Sequence, residues 1–150
     1  MTKHLTKTDF ISTFGCPTRL NYIRHPYKYA DTSEEDEFLQ SLSDGGYQVG
    51  KLAQLNYQNG IEVSENREEA VTETEAKMAQ ESATIFEAAI EYENFHIRID
   101  ITRKTLNTIN IIEVKAKSYD SSIQEEDNFY NQNGDVKADW KDYFYDLAFQ

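Results

Sequence analysis

Three residues of the sequence, Asp100, Glu113 and Lys115, have side chains suited to metal-dependent hydrolysis of a phosphodiester. A hard divalent cation prefers oxygen ligands, and a nearby positive group can orient the attacking water and stabilise the charge that develops on the phosphate. Glu113 and Lys115 lie two residues apart in the apolar run that begins at Ile109, so they share one face if that run is a strand. Asp100 lies on the preceding predicted strand, which a hairpin would place alongside. We therefore expect a cation between Asp100 and Glu113.

The spacing of an acid, any residue and a lysine is weakly specific, because it occurs four times in the chain. Only Glu113-Val114-Lys115 follows a β-branched apolar run and has an acid on the strand before it. An exposed polar face of a β-meander would also carry acids and lysines, and the three residues alone leave both interpretations open. The other matches are Glu75-Ala76-Lys77, Asp135-Val136-Lys137 and Asp139-Trp140-Lys141.

The elements ahead of these residues are predicted to be mostly helical. Apolar spacing indicates two short helices within residues 5–24, joined near Gly15. Apolar residues from Phe38 to Tyr57 also repeat at helical spacing, but Gly45 and Gly46 interrupt them, which predicts a kinked helix or two helices. The elements predicted next are a short strand from Ile61 to Ser64 and a polar, solvated helix from Glu65 to Glu81.

The chain changes character at Thr84, after which three strand-like segments follow in quick succession. Connections as short as Glu93-Asn94 require antiparallel neighbours. Apolar residues at helical spacing from Trp140 to the last residue predict a final helix. We therefore expect an α/β fold in which N-terminal helices precede a mixed sheet with a three-stranded antiparallel core, and a C-terminal helix packs on that sheet. The predicted strands are Ile85 to Tyr92, Phe95 to Arg103 and Ile109 to Lys115.

Charge and composition narrow the classes of function. A chain of 150 residues has the size of one domain, and its formal net charge of -12 repels polyanions. A protein that coats nucleic acid through electrostatics alone is therefore disfavoured. Much of the negative charge is clustered at Asp31 to Glu37 and Glu62 to Glu81, so a cation could still draw a phosphate to a different face. The sequence has no apolar run of membrane-spanning length and no signal peptide, which predicts a cytoplasmic protein without a membrane partner.

At these residues the chain resembles a known family. Ile99-Asp100 followed by Ile112-Glu113-Val114-Lys115 resembles the signature of the PD-(D/E)XK nuclease superfamily. The segment from Leu5 to Phe10, with Cys16-Pro17 and Arg19-Leu20, is similar to the N-terminal helix of RecB-like and CRISPR-associated exonuclease domains. Further segments resemble that family in the same order: Gly46 to Leu52 its helical segment, Ile85 to Ala89 its first core strand, and Asp146 to Gln150 the start of its glutamine motif.

The resemblance implies one domain over residues 1–150 with a restriction-endonuclease-like core. It also implies truncation at the C-terminus, because the glutamine motif of the family normally continues past the position of Gln150. The remaining C-terminal part of the protein is then expected to be absent. The implied activity is that of an exonuclease-like deoxyribonuclease that acts on DNA, in single strands or at ends, with DNA favoured over RNA.

The resemblance also implies roles for the site residues. Lys115 would orient the attacking water and stabilise charge, and Gln150 would bind substrate. Glu87 would be an additional acid of the metal site, although an isolated glutamate between Phe86 and Ala88 could equally point outward. The implied ligands of Mg²⁺ or Mn²⁺ are Asp100, Glu113, Glu87 and the carbonyl of Val114.

The missing histidine and the acidic surface favour an alternative function, and Cys16 also departs from the family pattern. Many RecB-like members place a metal-binding histidine on the helix before the strands, but Tyr47 to Lys51 contains none. Cys16, the only cysteine, matches the first iron–sulfur ligand of cluster-bearing relatives. One thiolate cannot hold such a cluster, so we expect no cluster in this chain and a buried thiol instead. The alternative is a catalytically silent module of the same fold that binds nucleic acid or protein.

Two further groups of residues were weighed for function. The three histidines, His4, His25 and His96, are far apart in sequence and lack the spacing of metal ligands. Several tyrosines interleaved with basic residues could stack on the bases and contact the phosphates of a single strand, although core packing explains most such aromatics. These residues are Tyr22, Tyr27, Tyr29 and Tyr47, with Arg19, Arg24 and Lys28.

Overall fold

The computed structural model describes residues 4–30, 36–124 and 128–150 of the protein. Most of the predicted acidic cluster at residues 31–37 lies outside these described residues. None of the described helices is both long and apolar enough to cross a membrane.

Two short helices open the described chain, as predicted. Helix α1 (Lys7–Gly15) begins with a capping box, in which the Thr6 hydroxyl accepts a hydrogen bond from the Asp9 backbone N–H and the Asp9 carboxylate accepts one from the Thr6 backbone N–H. Helix α2 (Arg19–Arg24) follows. The Arg24 guanidinium lies 3.1 Å from the Asp9 carboxylate, which joins the two helices.

Helix α3 (Glu37–Gln54) runs without a break through Gly45 and Gly46. The predicted alternative of two helices is therefore wrong. Glycine weakens a helix by about 1 kcal/mol relative to alanine but keeps its backbone N–H, so it does not end the helix as proline would. The Asp36 carboxylate caps the start of α3 by accepting hydrogen bonds from two backbone N–H groups.

The strands form one four-stranded mixed sheet. Strand β1 (Ile61–Glu62) pairs parallel to β2 (Ser82–Tyr92), and helix α4 (Arg67–Met78) connects them. Strand β3 (Phe95–Thr105) lies antiparallel between β2 and β4 (Thr108–Ile112), which gives the order β1-β2-β3-β4. The α/β class and the antiparallel three-stranded core are confirmed. The main core includes Ile85, Ala88 and Ile99 of the central strands together with Val63 and Ala70.

Two predicted strands are too long. The first ends at Glu62 instead of Ser64, and the last ends at Ile112 instead of Lys115. Glu113 and Lys115 therefore follow β4 and are not part of it. The physical reason is visible at Val114, whose backbone N–H donates to the Asp100 carboxylate at 2.6 Å.

The last helix, α5 (Ala138–Phe149), packs on α1 and reaches the sheet, as predicted. The Phe149 ring stacks on Phe10 with centroids 4.9 Å apart and contacts Phe95 of β3 edge to face. The Tyr145 and Phe14 rings stack at 4.1 Å. These aromatic contacts hold α5 against α1 and the start of β3, and the Gln150 amide that follows α5 donates to Glu113 after β4.

Candidate functional site

Asp100 lies where the sheet is interrupted on both sides. Phe86 pairs with Ile101 and Ala88 pairs with Ile99, but Glu87 and Asp100 between them are not paired. On the other side the last pair near the site joins Ile101 to Ile112, and continuing that register by one residue places Glu113 opposite Asp100. Two glutamates thus flank one aspartate across three neighbouring segments.

Glu87 breaks the sheet through its own backbone conformation. Its φ of 57° lies in the left-handed region, which a residue with a Cβ rarely adopts. Such a conformation costs on the order of 1–3 kcal/mol and persists only when the surrounding structure enforces it. The strained residue of β2 is therefore the one that the register places opposite Asp100.

A small cavity opens in front of these acids, between α3 and the sheet. Its volume is about 170 Å³. Gly46 and Gly50 belong to its α3 wall, and a Cβ added to either glycine would meet no heavy atom within 4 Å. The α3 wall therefore leaves room for a ligand in front of the acids. The full lining is Gly46, Tyr47, Gly50, Lys51, Gln54, Glu87, Asp100, Ile101 and Val114.

The two acids that line the cavity resist losing their protons. Burial raises the pKa of Asp100, and the nearby Glu113 carboxylate raises it further, against the hydrogen bond from the Val114 N–H. Burial also raises the pKa of Glu87, and the negative charge of Asp100 adds to the effect. A divalent cation in the cavity would remove this repulsion.

The environment of Glu113 favours the ionised form, in contrast to the environments of Asp100 and Glu87. Its side chain is only 4% exposed, yet its oxygens accept three charged or amide hydrogen bonds. Oε1 lies 2.7 Å from both the Lys7 and Lys115 Nζ atoms, and Oε2 accepts from the Gln150 amide at 2.7 Å. Burial opposes ionisation, but the hydrogen bonds from Lys115, Lys7 and Gln150 outweigh it and hold the pKa of Glu113 below its ordinary value.

Lys115 is held between two acids. Its Nζ lies 2.7 Å from Glu113 and 2.7 Å from Asp146 of α5, and 5.3 Å from the centre of the Tyr143 ring. Burial lowers the pKa of Lys115, but hydrogen bonds to Asp146 and Glu113 outweigh burial and raise it. The lysine is therefore suited to a fixed positive charge and poorly suited to a general base.

Asp100 and Glu87 line the cavity with carboxylates, the kind of group that Mg²⁺ or Mn²⁺ takes as a ligand. Mg²⁺ usually takes one or two carboxylates and keeps several waters, and the two acids that line the cavity would lose a repulsion on binding it. Within residues 4–30, 36–124 and 128–150, no three His, Cys, Asp or Glu side chains converge closely enough to hold a metal by themselves. Asp100 and Glu87 alone would leave most positions of a bound cation to be filled by other groups, such as water.

The predicted site residues thus fall into two adjoining groups. Asp100, Glu87 and Val114 line the cavity, whereas Glu113, Lys115 and Gln150 form the ion-pair cluster behind them. The same spacing elsewhere has a different setting: Glu75 and Lys77 lie on α4, and Asp139 pairs with Lys117 at 2.9 Å.

Two residues of the candidate site were not predicted from the sequence. Lys7 of α1 and Asp146 of α5 each contact the cluster through one 2.7 Å ion pair. Both lie inside segments that resemble the family's N-terminal and glutamine motifs, which was the available signal. No spacing rule connects residues so distant along the chain, so their roles could not be assigned.

The structure also shows the positions of the cysteine, of two histidines and of three of the tyrosines considered for stacking. Cys16 is exposed, so the predicted buried thiol is wrong: the residue ends α1 with its side chain in solvent. His25 contacts the Asn21 carbonyl and His96 lies 3.2 Å from Glu91, both away from the cavity. Among the tyrosines weighed for stacking, Tyr47 lines the cavity, whereas Tyr22 and Tyr29 pack edge to face on each other.

Comparison with known proteins gives no relative of this chain. No family model matches it. No curated protein and no solved structure matches it either. The function therefore has to be argued from the site.

Proposed function

We propose that the protein is a metal-dependent nuclease of the PD-(D/E)XK superfamily, with a RecB-like, restriction-endonuclease-like core and DNA as its substrate. One observation carries the proposal. The sheet is interrupted on both sides of Asp100, where Glu87 and Glu113 face it across the register and Lys115 is fixed beside them. The order of segments that resembles the family supports the same assignment.

In the proposed mechanism, one group of residues would hold a cation and another would stabilise the negative charge that develops on the phosphate. When bound, Mg²⁺ or Mn²⁺ would polarise the scissile phosphate and lower the pKa of a coordinated water. Asp100, Glu87 and the Val114 carbonyl would hold it. Glu113 accepts one hydrogen bond at Oε2 and two at Oε1, so Oε2 retains a lone pair that could join the same cation.

Lys115 and Lys7 would act on the phosphate. Both ammonium groups are already fixed on Oε1 of Glu113, so they need little reorganisation when negative charge develops. Asp146 keeps Lys115 in place from the α5 side. Gln150, which donates to Glu113, lies at the edge of the site where a substrate strand would pass.

A catalytically silent binding module of the same fold is the second candidate. The observation that favours it is the closed network around Glu113, in which two lysines and one amide occupy the carboxylate. The net charge of -12 and the absence of histidine from residues 47–51 favour it as well. A silent module would keep the cluster for stability and would not cleave nucleic acid, whether or not a cation is bound.

Cleavage of labelled single- and double-stranded DNA in Mg²⁺ and in Mn²⁺ separates the candidates. We expect metal-dependent cleavage by the wild type, a loss of at least about 10²-fold in Asp100→Ala, and wild-type activity in Glu75→Ala. Glu75 is the matched control because it heads the same acid and lysine spacing on α4. A wild type that binds metal but cleaves neither DNA would favour the silent module.

A further inference from the structure

A second, larger cavity adjoins the acid cavity. It has a volume of about 790 Å³ and lies between the C-terminal half of α3, the loop before β1 and the Phe86 ring of β2. This volume is within the usual range of small-molecule sites, roughly 300–1,000 Å³. Tyr47, Lys51 and Gln54 line both cavities, so the two lie side by side.

The walls of this large cavity are aromatic and aliphatic. Phe86 forms a fixed part of the wall, because it is only 7% exposed and its ring fills the space in which a Cβ of Gly60 would lie. Tyr47 and Leu55 are open to solvent, with 68% and 79% of their surface exposed. Exposed apolar side chains gathered around one concave surface indicate a binding site more than a folding requirement.

The polar groups of the large cavity are chiefly neutral amides. Gln48, Gln54, Gln58 and Asn59 line it, and each amide offers both donors and an acceptor. The charged lining residues offset each other, because the Lys51 ammonium is paired with the Glu62 carboxylate. A wall of rings with neutral amides fits a planar heteroaromatic group whose edge carries donors and acceptors. It does not fit a phosphate.

We propose that the large cavity binds the base of a nucleotide whose phosphate lies at the acid cavity, which makes a single-stranded nucleic acid the substrate. This inference rests on the proposed nuclease function. The adjacency of the two cavities supports it, since a base and its own phosphate are joined by one sugar. Lys51, whose Nζ lies 5.4 Å from the centre of the Tyr47 ring, stands at the junction where the sugar and phosphate would pass.

The secondary structure of the nucleic acid follows from this geometry. A base inside a duplex is paired and stacked, so it cannot enter a cavity without being extruded. A base in a single strand can stack on an exposed tyrosine at once, and such stacking depends little on the identity of the base. The cavity therefore selects single strands or frayed ends, with weak sequence preference.

Calorimetric titration of the protein in Mg²⁺ with deoxyadenosine 5′-monophosphate, which has no phosphodiester, tests the cavity without any cleavage. Tyr47→Leu should weaken binding about tenfold, as expected for the loss of one stacking partner, whereas Tyr47→Phe should bind within about twofold of wild type. Tyr92→Leu is the matched control, because Tyr92 is 72% exposed on β2 and does not line the cavity. The base-free probe 2-deoxyribose 5-phosphate should bind weakly and equally to all four proteins. Undetectable nucleotide binding by the wild type, or equal binding by Tyr47→Leu, would overturn the proposal.

The cleavage assay separates this inference from the function on which it rests. With single-stranded DNA, Tyr47→Leu should raise KM about tenfold, and with an abasic strand of equal length the variant and wild type should agree. A wild type that cleaves both strands with a KM unaltered by Tyr47→Leu would overturn the base cavity and leave the nuclease intact. Nucleotide binding that depends on Tyr47, in a protein without cleavage, would sustain the cavity and contradict the nuclease.

Discussion

Carboxyl groups lie both at the acid cavity and in the ion-pair cluster behind it, but their pKa values are shifted in opposite directions. At the cavity, burial and mutual repulsion raise the pKa values of Asp100 and Glu87. In the cluster, hydrogen bonds from lysines and an amide outweigh burial and lower the pKa of Glu113. A cation would therefore relieve the repulsion between Asp100 and Glu87 at the cavity. In the cluster, Lys7 and Lys115 already balance the charge of Glu113. The two groups of acids thus differ in what surrounds them: Asp100 and Glu87 repel each other at the cavity, whereas Glu113 is held by two lysines and an amide.

The largest expected effect comes from the cluster. Lys115→Ala should lower metal-dependent cleavage by about 10²–10³ in kcat, because a preorganised cation contributes mainly where charge builds in the transition state. Metal affinity should change little. Lys77→Ala is the control, since Lys77 completes the same spacing on α4. Equal turnover in Lys115→Ala and wild type would show that the cluster is structural.

The next effect concerns the stability of α1, the helix that carries Lys7. Asp9 fixes α1 by capping its start and pairing with Arg24, so Asp9→Ala should lower the free energy of unfolding by about 1–3 kcal/mol. Burial opposes ionisation, but hydrogen bonds from Thr6 and Arg24 outweigh it and lower the pKa of Asp9. The folded state thus binds the proton less readily than the unfolded state.

The pH dependence of that effect follows from the lowered pKa. The stability supplied by Asp9 should be present in full above the pKa of an unfolded aspartate, and it should be lost as pH falls through the lower pKa of the folded state. Urea titrations of the wild type and Asp9→Ala should therefore converge in acid. A difference that grows on acidification would contradict this ion pair.

A smaller effect distinguishes the glycines of α3. Gly45→Ala should raise the free energy of unfolding by about 0.5–1 kcal/mol, because Gly45 lies in a helix interior, does not line the acid cavity, and a Cβ there meets no heavy atom within 4 Å. Gly50→Ala should stabilise the helix similarly but place a methyl group at the cavity wall. Weaker Mn²⁺ binding or cleavage in Gly50→Ala alone would show that the ligand occupies the space beside Gly50. Identical behaviour of the two variants would contradict that placement.

The smallest effect should come from Asp100→Asn. The change removes a negative charge between two glutamates and keeps an oxygen that can accept from the Val114 N–H, so the metal-free protein should gain less than about 1 kcal/mol in unfolding free energy. The wild type should regain this advantage when Mn²⁺ is added. A loss of stability in metal-free Asp100→Asn would mean that the cavity acids do not repel each other.

Local sequence patterns predicted the strands of the sheet well, but they placed the ends of β1 and β4 too late in the chain. Alternation from Phe95 to Arg103 depends on neighbouring residues alone, so β3 was placed within two residues of its observed end. The end of β4 depends on a hydrogen bond from Val114 to a side chain on another strand, which no local pattern records. The unbroken α3 likewise rules out one of the two alternatives predicted at Gly45 and Gly46, that of two separate helices.

The site was predictable in part for the same reason. Asp100 and Glu113 followed from the expected hairpin, and Glu87 from its resemblance to the first core strand. The positive φ of Glu87 and the contacts of Lys7 and Asp146 arise from tertiary packing between distant segments. Exposure of Cys16 also depends on where α1 ends against α5, which the sequence alone does not state.

Calorimetric titration with Mn²⁺ tests whether Asp100 and Glu113 hold a metal, by comparing the wild type, Glu87→Gln and the double variant Asp100→Ala, Glu113→Ala. We expect one site in the wild type, weaker binding in Glu87→Gln and no binding at that site in the double variant. The control is the double variant Glu75→Ala, Asp139→Ala, which removes two acids of the unrelated matches and should bind as the wild type does. Equal Mn²⁺ affinity in the wild type and in Asp100→Ala, Glu113→Ala would show that these acids do not form a metal site.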